Sequence, residues 1–411
     1  MYSFELNETC PHGIITNELV EKKCNTQIDD IRIVMIGEGI TSIDKCSFIK
    51  CQNLEKINLP ESLEYIGLKS FAYCKKLMNI NIGSNMTRID DRAFESCNLL
   101  EEIDFSNCPD CKFGEGVFNC CYSLSIVILP NNLEEINTYL FYGCENLNRI
   151  EIPEGVSIIQ DSAFRNCYKL ESIYLPDSVY QIERYAFNSC EGLYEIRLSN
   201  NLNRIYNNAF ENCESLRVIY VNEKKNNMII FPESLEIIDE EAFYACSNIL
   251  KLYISKGIRI IGDSAFSFCS TLMIVIFDNN ITNLNYIHYV FSNSFSLEYV
   301  LLPESSINIT DIFRRNEYPP YIFSSIDRIE NQHSNDYILE RLKDKNIINK
   351  FRNKEKIFLE RLNPKIKHPL SYHIILSYMN EYNNEFDDIE TLRINEYSRY
   401  HRIVRDILEF I

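Results

Sequence analysis

Between residues 31 and 303 the apolar positions of the chain recur in a fixed order. The window ESLEYIGLKSFAYCKKLMNINIG (61–83) shows the unit, and its clearest marker is a Phe followed three residues later by a Cys. Phe stands at 48, 71, 94, 118, 141, 164, 187, 210, 243, 266 and 291; seven of the ten intervals are 23 residues and the others are 24, 33 and 25. The partner Cys stands at 51, 74, 97, 121, 144, 167, 190, 213, 246 and 269, and Ser294 takes its place in the last copy. A unit this short cannot bury an apolar face alone, so the period predicts stacked solenoid coils.

Within a unit, Leu54, Ile57 and Leu59 form L-x-x-I-x-L, and the last two alternate as in a short strand. Pro60 follows, and its missing N–H ends strand pairing. Leu63 and Ile66 point inward again before Phe71 and Cys74 complete the coil. Leu147, Ile150, Ile152, Pro153, Val156, Ile159, Phe164 and Cys167 repeat the scheme. These positions are expected to be core: they specify shape and carry no chemistry.

The pattern LxxIxLPxxLxxIxxxAFxxCxx resembles the BspA-type leucine-rich repeat, over about residues 31–303 and in eleven copies. It departs from the common leucine-rich repeat in having Pro, where that repeat has Asn, after the strand. The resemblance implies an α/β repeat solenoid: a curved leucine-rich-repeat stack of about eleven 23-residue coils with a parallel sheet on the concave side. It also implies binding or adhesion rather than catalysis, with members often at cell surfaces. The expected organisation is an N-terminal cap (1–30), the solenoid (31–303), a linker (304–334) and a helical C-terminal domain or cap (335–411).

The third and fifth residues of each L-x-x-I-x-L strand are free of core duty and are expected to face solvent on the concave side. In the first three copies they are Lys56 and Asn58, Asn79 and Asn81, and Glu102 and Asp104. Ile126 and Ile128 follow, then Arg149 and Glu151. The later copies place Tyr174, Arg197, Val218, Tyr220, Tyr253, Ile274, Ile276, Tyr299 and Leu301 there. Stacked strands lie about 4.8 Å apart, so these nine form one aromatic and aliphatic strip, the kind of surface that marks a protein contact. Binding of a protein partner through this strip is the expected function, with a cell-surface or secreted adhesin of the same architecture as the alternative. The ten extra residues at 222–231 (NEKKNNMIIF) are expected to form an exposed excursion.

Of the 16 cysteines, ten belong to the repeat position and are expected to pack as small, inert hydrophobes. CPDCKFGEGVFNCC holds the one metal-like arrangement: Cys108 and Cys111 spaced C-x-x-C ahead of Cys120 and Cys121. It is a weak zinc candidate, because Cys121 is claimed by the repeat and the adjacent Cys120 should point away. No metal or other cofactor is expected. No phosphate loop, nucleophile elbow or zinc-protease motif occurs, and the carboxylates fall at solvent positions of separate coils, so no enzyme is expected.

Charge changes the picture in one respect. The net charge is −18, which counts against nucleic acid as ligand, but residues 331–411 hold 14 basic and 13 acidic residues. Residues 341–367 carry ten Lys or Arg against three acids, which suggests docking of this stretch onto the acidic solenoid. The N-terminal MYSFELNETCPHG has neither the basic nor the apolar region of a signal peptide, and no apolar run approaches about 18 residues. A cytoplasmic protein without membrane insertion is therefore expected.

Overall fold

Each coil is built around one buried Phe. The computed structural model describes residues 2–6, 13–24, 28–49, 51–222, 228–278, 281, 284–286, 289–297, 299–302 and 321–324. The chain divides at 326/327 into two units, and all of these residues belong to the first. The expected helical region 335–411, its basic stretch 341–367 and most of the expected linker lie outside the described residues.

From Phe48 to Phe291 the eleven rings stack in ten successive pairs, with centroids 5.0–5.8 Å apart and planes within 2–20° of parallel. Parallel rings at that separation are offset, which keeps like-charged π faces from lying directly over one another. Beside them runs the cysteine ladder. Nine cysteines, from Cys74 to Cys269, donate S–H to the carbonyl of the Phe in the preceding coil at 3.1–3.4 Å. Ser294 donates its hydroxyl to Phe266 O at 3.0 Å. The position therefore requires a small donor, which is why Ser can replace Cys there. Burial pushes the ladder thiols up, Cys269 to about 12, so they stay protonated and inert.

The L-x-x-I-x-L segments form three-residue parallel strands such as Lys56–Asn58, Glu102–Asp104, Ile126–Ile128 and Arg149–Glu151, each with its middle residue buried and its flanking residues exposed. We call this the long-strand face. Two-residue strands form a second ladder, the short-strand face. It includes the seven-stranded sheet from Glu135–Ile136 to Asn285–Tyr286, paired in register coil by coil. The parallel stacked architecture is the one the repeat implies, and it contains little helix: Asn17–Cys24, with Thr16 Oγ1 accepting from Leu19 N at 3.2 Å, is the one α-helix among the described residues.

The third side of each coil is a turn centred on the Phe. The residues two before and two after it are left-handed, with φ of 51–67° at Lys69, Tyr73, Tyr185, Ser189 and Tyr289 among others. Gly116 and Gly143 fill the position in two coils. A non-glycine residue there costs about 1 kcal/mol or more. Hydrogen bonds to the next coil offset the cost: Lys69, Phe71 and Tyr73 N–H donate to the carbonyls of Asp91, Ala93 and Glu95 at 2.7–3.0 Å, and Ser162, Phe164 and Asn166 do the same to Arg184, Ala186 and Asn188.

Three segments extend the expected pattern. Residues 1–30 contribute a strand to each face: Tyr2–Leu6 pairs in parallel with Ile31–Ile36, and Ile14–Ile15 pairs with Ser42–Ile43. Tyr321–Ser324, inside the expected linker, pairs in parallel with Tyr299–Leu302. The insertion at 222–231, expected to be an exposed excursion, ends as a buried strand instead. Ile229–Ile230 pairs with Lys251–Ile254 on the side facing the earlier coils, and Ile229 and Phe231 are each 1% exposed. The reason is legible in MIIFPESLEII, which restates the strand, proline and inward apolar positions of the repeat. The long-strand face thus gains a strand that the short-strand face lacks, since Arg204–Ile205 pairs directly with Ile237–Ile238.

Candidate functional site

On the long-strand face the outward positions change character along the stack. In the early coils they stand in solvent: Ile126 is 55% exposed and Ile128 46%. Arg149 and Glu151, in the next coil, are exposed as well and form a solvent-facing ion pair at 3.7 Å. Tyr174 is 51% exposed. Val218, Tyr220 and Ile274 are half-buried. The backbones of Tyr299 and Leu301 pair with Ile274 and Ile276 in the same sheet.

Three residues expected in solvent on this strip are buried, which corrects the sequence reading. Arg197 is 5% exposed because its guanidinium is fully engaged within the fold. Its NH1 donates to Leu175 O at 2.6 Å, its NH2 pairs with Asp177 Oδ1 at 2.7 Å, and its carbon lies 4.6 Å from the centre of the Tyr174 ring. Burial works against the Asp177 charge, but hydrogen bonds from Asn200 and the Arg197 guanidinium hold that carboxyl below its ordinary value. Tyr253 is 7% exposed and Ile276 4%. Tyr253 lies in register between Ile230 and Ile276, and its hydroxyl donates to Asp278 Oδ2 at 2.6 Å. Burial and then this hydrogen bond push the hydroxyl well above its ordinary value. Lys251, on the same strand, is 9% exposed.

The exposed part of this face therefore lies towards the earlier coils. Met35, Ile126, Ile128 and Tyr174 are its exposed apolar members, Arg149 and Glu151 lie between Ile128 and Tyr174 in the stack, and Val218 and Tyr220 continue it. Ile126 and Ile128 fell outside the strip read from sequence; their signal was two isoleucines at positions where neighbouring coils carry charge. Asp177 and Asp278 were also missed, since each lies just beyond a strand and acts on a residue of a different coil.

The weak zinc candidate is not assembled. Cys108 and Cys111 lie together beneath a turn, each 2% exposed, whereas Cys120 occupies a left-handed position (φ 60°) and hydrogen-bonds Tyr122. No group of three or more His, Cys, Asp or Glu suited to a metal occurs among the described residues. No helix of the described residues is long and apolar enough to cross a membrane.

Stacked 23-residue coils with a parallel strand in each define a leucine-rich-repeat solenoid. The family model for the BspA type leucine rich repeat region matches residues 18–110, 111–228 and 220–318, in six copies, and the chain belongs to that family. Repeats of this family are typical of protein-interaction or surface proteins. Among solved structures, a leucine-rich repeat protein from Bacteroides ovatus is 23% identical, with 72% of this chain and 84% of that one covered and a TM-score of 0.45. A leucine rich cell surface protein from Faecalibacterium prausnitzii is 22% identical, covering 72% of this chain and 80% of that one, TM-score 0.41. The pneumococcal vaccine antigen PcpA is 20% identical, covering 71% and 74%, TM-score 0.40. No curated protein sequence matches the chain.

Proposed function

We propose that this protein is a non-catalytic interaction module that holds a protein partner on its long-strand face, with the contact centred on Ile126, Ile128 and Tyr174. The observation that carries the proposal is their exposure, 46–55%, on a ladder whose inward residues are buried. Half-exposed isoleucines on a sheet cost hydration free energy that a partner recovers at roughly 25 cal/mol for each Å² covered. Tyr174 is already held from below by the Arg197 guanidinium, so little side-chain freedom is lost when it is covered. Arg149 and Glu151 supply a polar element next to the apolar contact, as interfaces commonly have. A cytoplasmic location belongs to the same proposal, supported by a cysteine ladder whose hydrogen bonds require reduced thiols; cell fractionation tests it.

The test uses the full-length protein and an Ile126→Glu/Tyr174→Glu variant as parallel baits in a pull-down. The expected result is a partner captured by the first and lost with the second, at unchanged melting temperature. Equal capture by both would remove the long-strand face as the contact.

A further inference from the structure

The turn at 106–112 departs from all other coils. Phe105 and Phe113 correspond to Leu129 and Ile136 of the next coil, but eight residues separate the first pair and seven the second. In the next coil one aliphatic residue, Leu133, fills the interior beneath this turn; here Cys108 and Cys111 fill it together. Cys111 N donates to Cys108 O at 3.1 Å, which closes the C-P-D-C segment as a β-turn. Such a turn brings the first and fourth Cα atoms within about 7 Å, inside the range a disulfide spans. The residues around the pair, Ser106, Asn107, Pro109 and Asp110, are all exposed. The ladder cysteines have no such cover of exposed turn: they are 0% exposed, and from Cys74 onward their thiols donate across to the preceding coil, whereas Cys108 donates within its own turn, to Phe105 O at 3.5 Å.

We propose that Cys108 and Cys111 are a reversible redox modification site, which closes to a disulfide by exchange with a low-molecular-weight disulfide. The Cys108 thiolate attacks one sulfur of that molecule and expels one thiolate. The sulfur of Cys111, after losing its proton, then attacks Cys108 Sγ and expels the second. Two protein thiols are oxidised to one disulfide, one small disulfide is reduced to two thiols, and the two protein protons end on the two leaving sulfurs. The order of attack follows from the closeness of the two thiols, which holds Cys108 below its ordinary value and Cys111 well above, while their S–H groups are directed at Phe105 O (3.5 Å) and Lys112 O (4.0 Å). At 2% exposure each, the pair reacts only when the 106–112 turn opens, so the exchange is slow.

The probe is glutathione disulfide, added to the reduced full-length protein. Remaining thiols are blocked with N-ethylmaleimide, and tryptic peptides are read by tandem mass spectrometry. The expected product is the 93–112 peptide lighter by two hydrogens, with the bond between Cys108 and Cys111 and Cys97 alkylated. Cys111→Ser is expected to accumulate a glutathione adduct on Cys108, and Cys108→Ser to give none on Cys111. The wild-type measurement stands even if a variant fails to fold. Oxidation of ladder cysteines first, or a 108–111 bond that forms only in denaturant, would overturn the proposal.

Discussion

Ile128 and Ile276 hold the same place in two coils of one solenoid: the outward residue after the central inward one of a long strand. Ile128 is 46% exposed and Ile276 4%. The repeat position fixes the direction in which a side chain points. Its exposure is set by neighbours in register on other coils. Ile128 pairs with Asp104, which stays in solvent, whereas Ile276 pairs with Tyr253, whose ring is packed and tied at its tip to Asp278. A repeat protein can therefore keep one part of a face free for a partner and commit another part to its own stability, without altering the repeat.

The largest effect should be blind to this difference. Phe141→Ala and Phe266→Ala remove one ring each from the continuous stack, and both are expected to cost about 3–5 kcal/mol. Urea unfolding measures it; a much smaller cost in one of them would mean the core is not uniform. Truncating the paired isoleucines sharpens the contrast next. Ile276→Ala is expected to cost about 2–4 kcal/mol and Ile128→Ala less than about 0.5 kcal/mol. Equal losses would show that the difference in burial between the two positions does not set their contribution to folding.

Tyr253→Phe removes only the bond to Asp278, at about 1 kcal/mol, and it carries a pH signature. The hydroxyl is held protonated in the folded state, so its contribution is complete below pH about 10, the ordinary tyrosine value. It is lost as pH rises further, because the unfolded chain gives up this proton first. Stability measured from pH 8 to 11 should fall less steeply in the variant than in the wild type. The smallest effect lies on the turn side. Burial raises Glu211 above its ordinary value, although Asn188 and Asn208 donate to its carboxylate. Glu211→Gln should stabilise by no more than about 0.5 kcal/mol at pH 7, and the gain should vanish near pH 4, where Glu211 itself is protonated. A gain that persisted in acid would rule out charge as its cause.

The interior was legible because its signal is local: Phe and Cys three apart, at a period of 23 residues, leave little freedom for anything but a stacked coil. The donor role of Cys was legible only in retrospect, from the single serine at 294. The left-handed positions were not legible at all. Lys69, Tyr185, Glu241 and Phe268 are not residues that mark positive φ, and they adopt it because each N–H is drawn to a carbonyl of the next coil. Tyr174, Ile126 and Ile128 could be placed on the outward face from spacing alone. The burial of Arg197, Tyr253 and Ile276 could not, since it depends on Asp177, Asp278 and register partners that lie 20–25 residues away in sequence.

The backbone of the turn side has a direction. In coil after coil the N–H groups of the residues around Phe reach forward and the carbonyls reach back. On this side the backbone donors therefore face one end and the carbonyls that accept from them face the other, while the thiols of the cysteine ladder donate in the opposite sense. Two copies brought together through like ends would oppose backbone donor to donor here, which disfavours a closed two-fold dimer through this side. Unlike ends match, and that is an arrangement with no built-in stop, one that grows as a filament unless something at the termini blunts it.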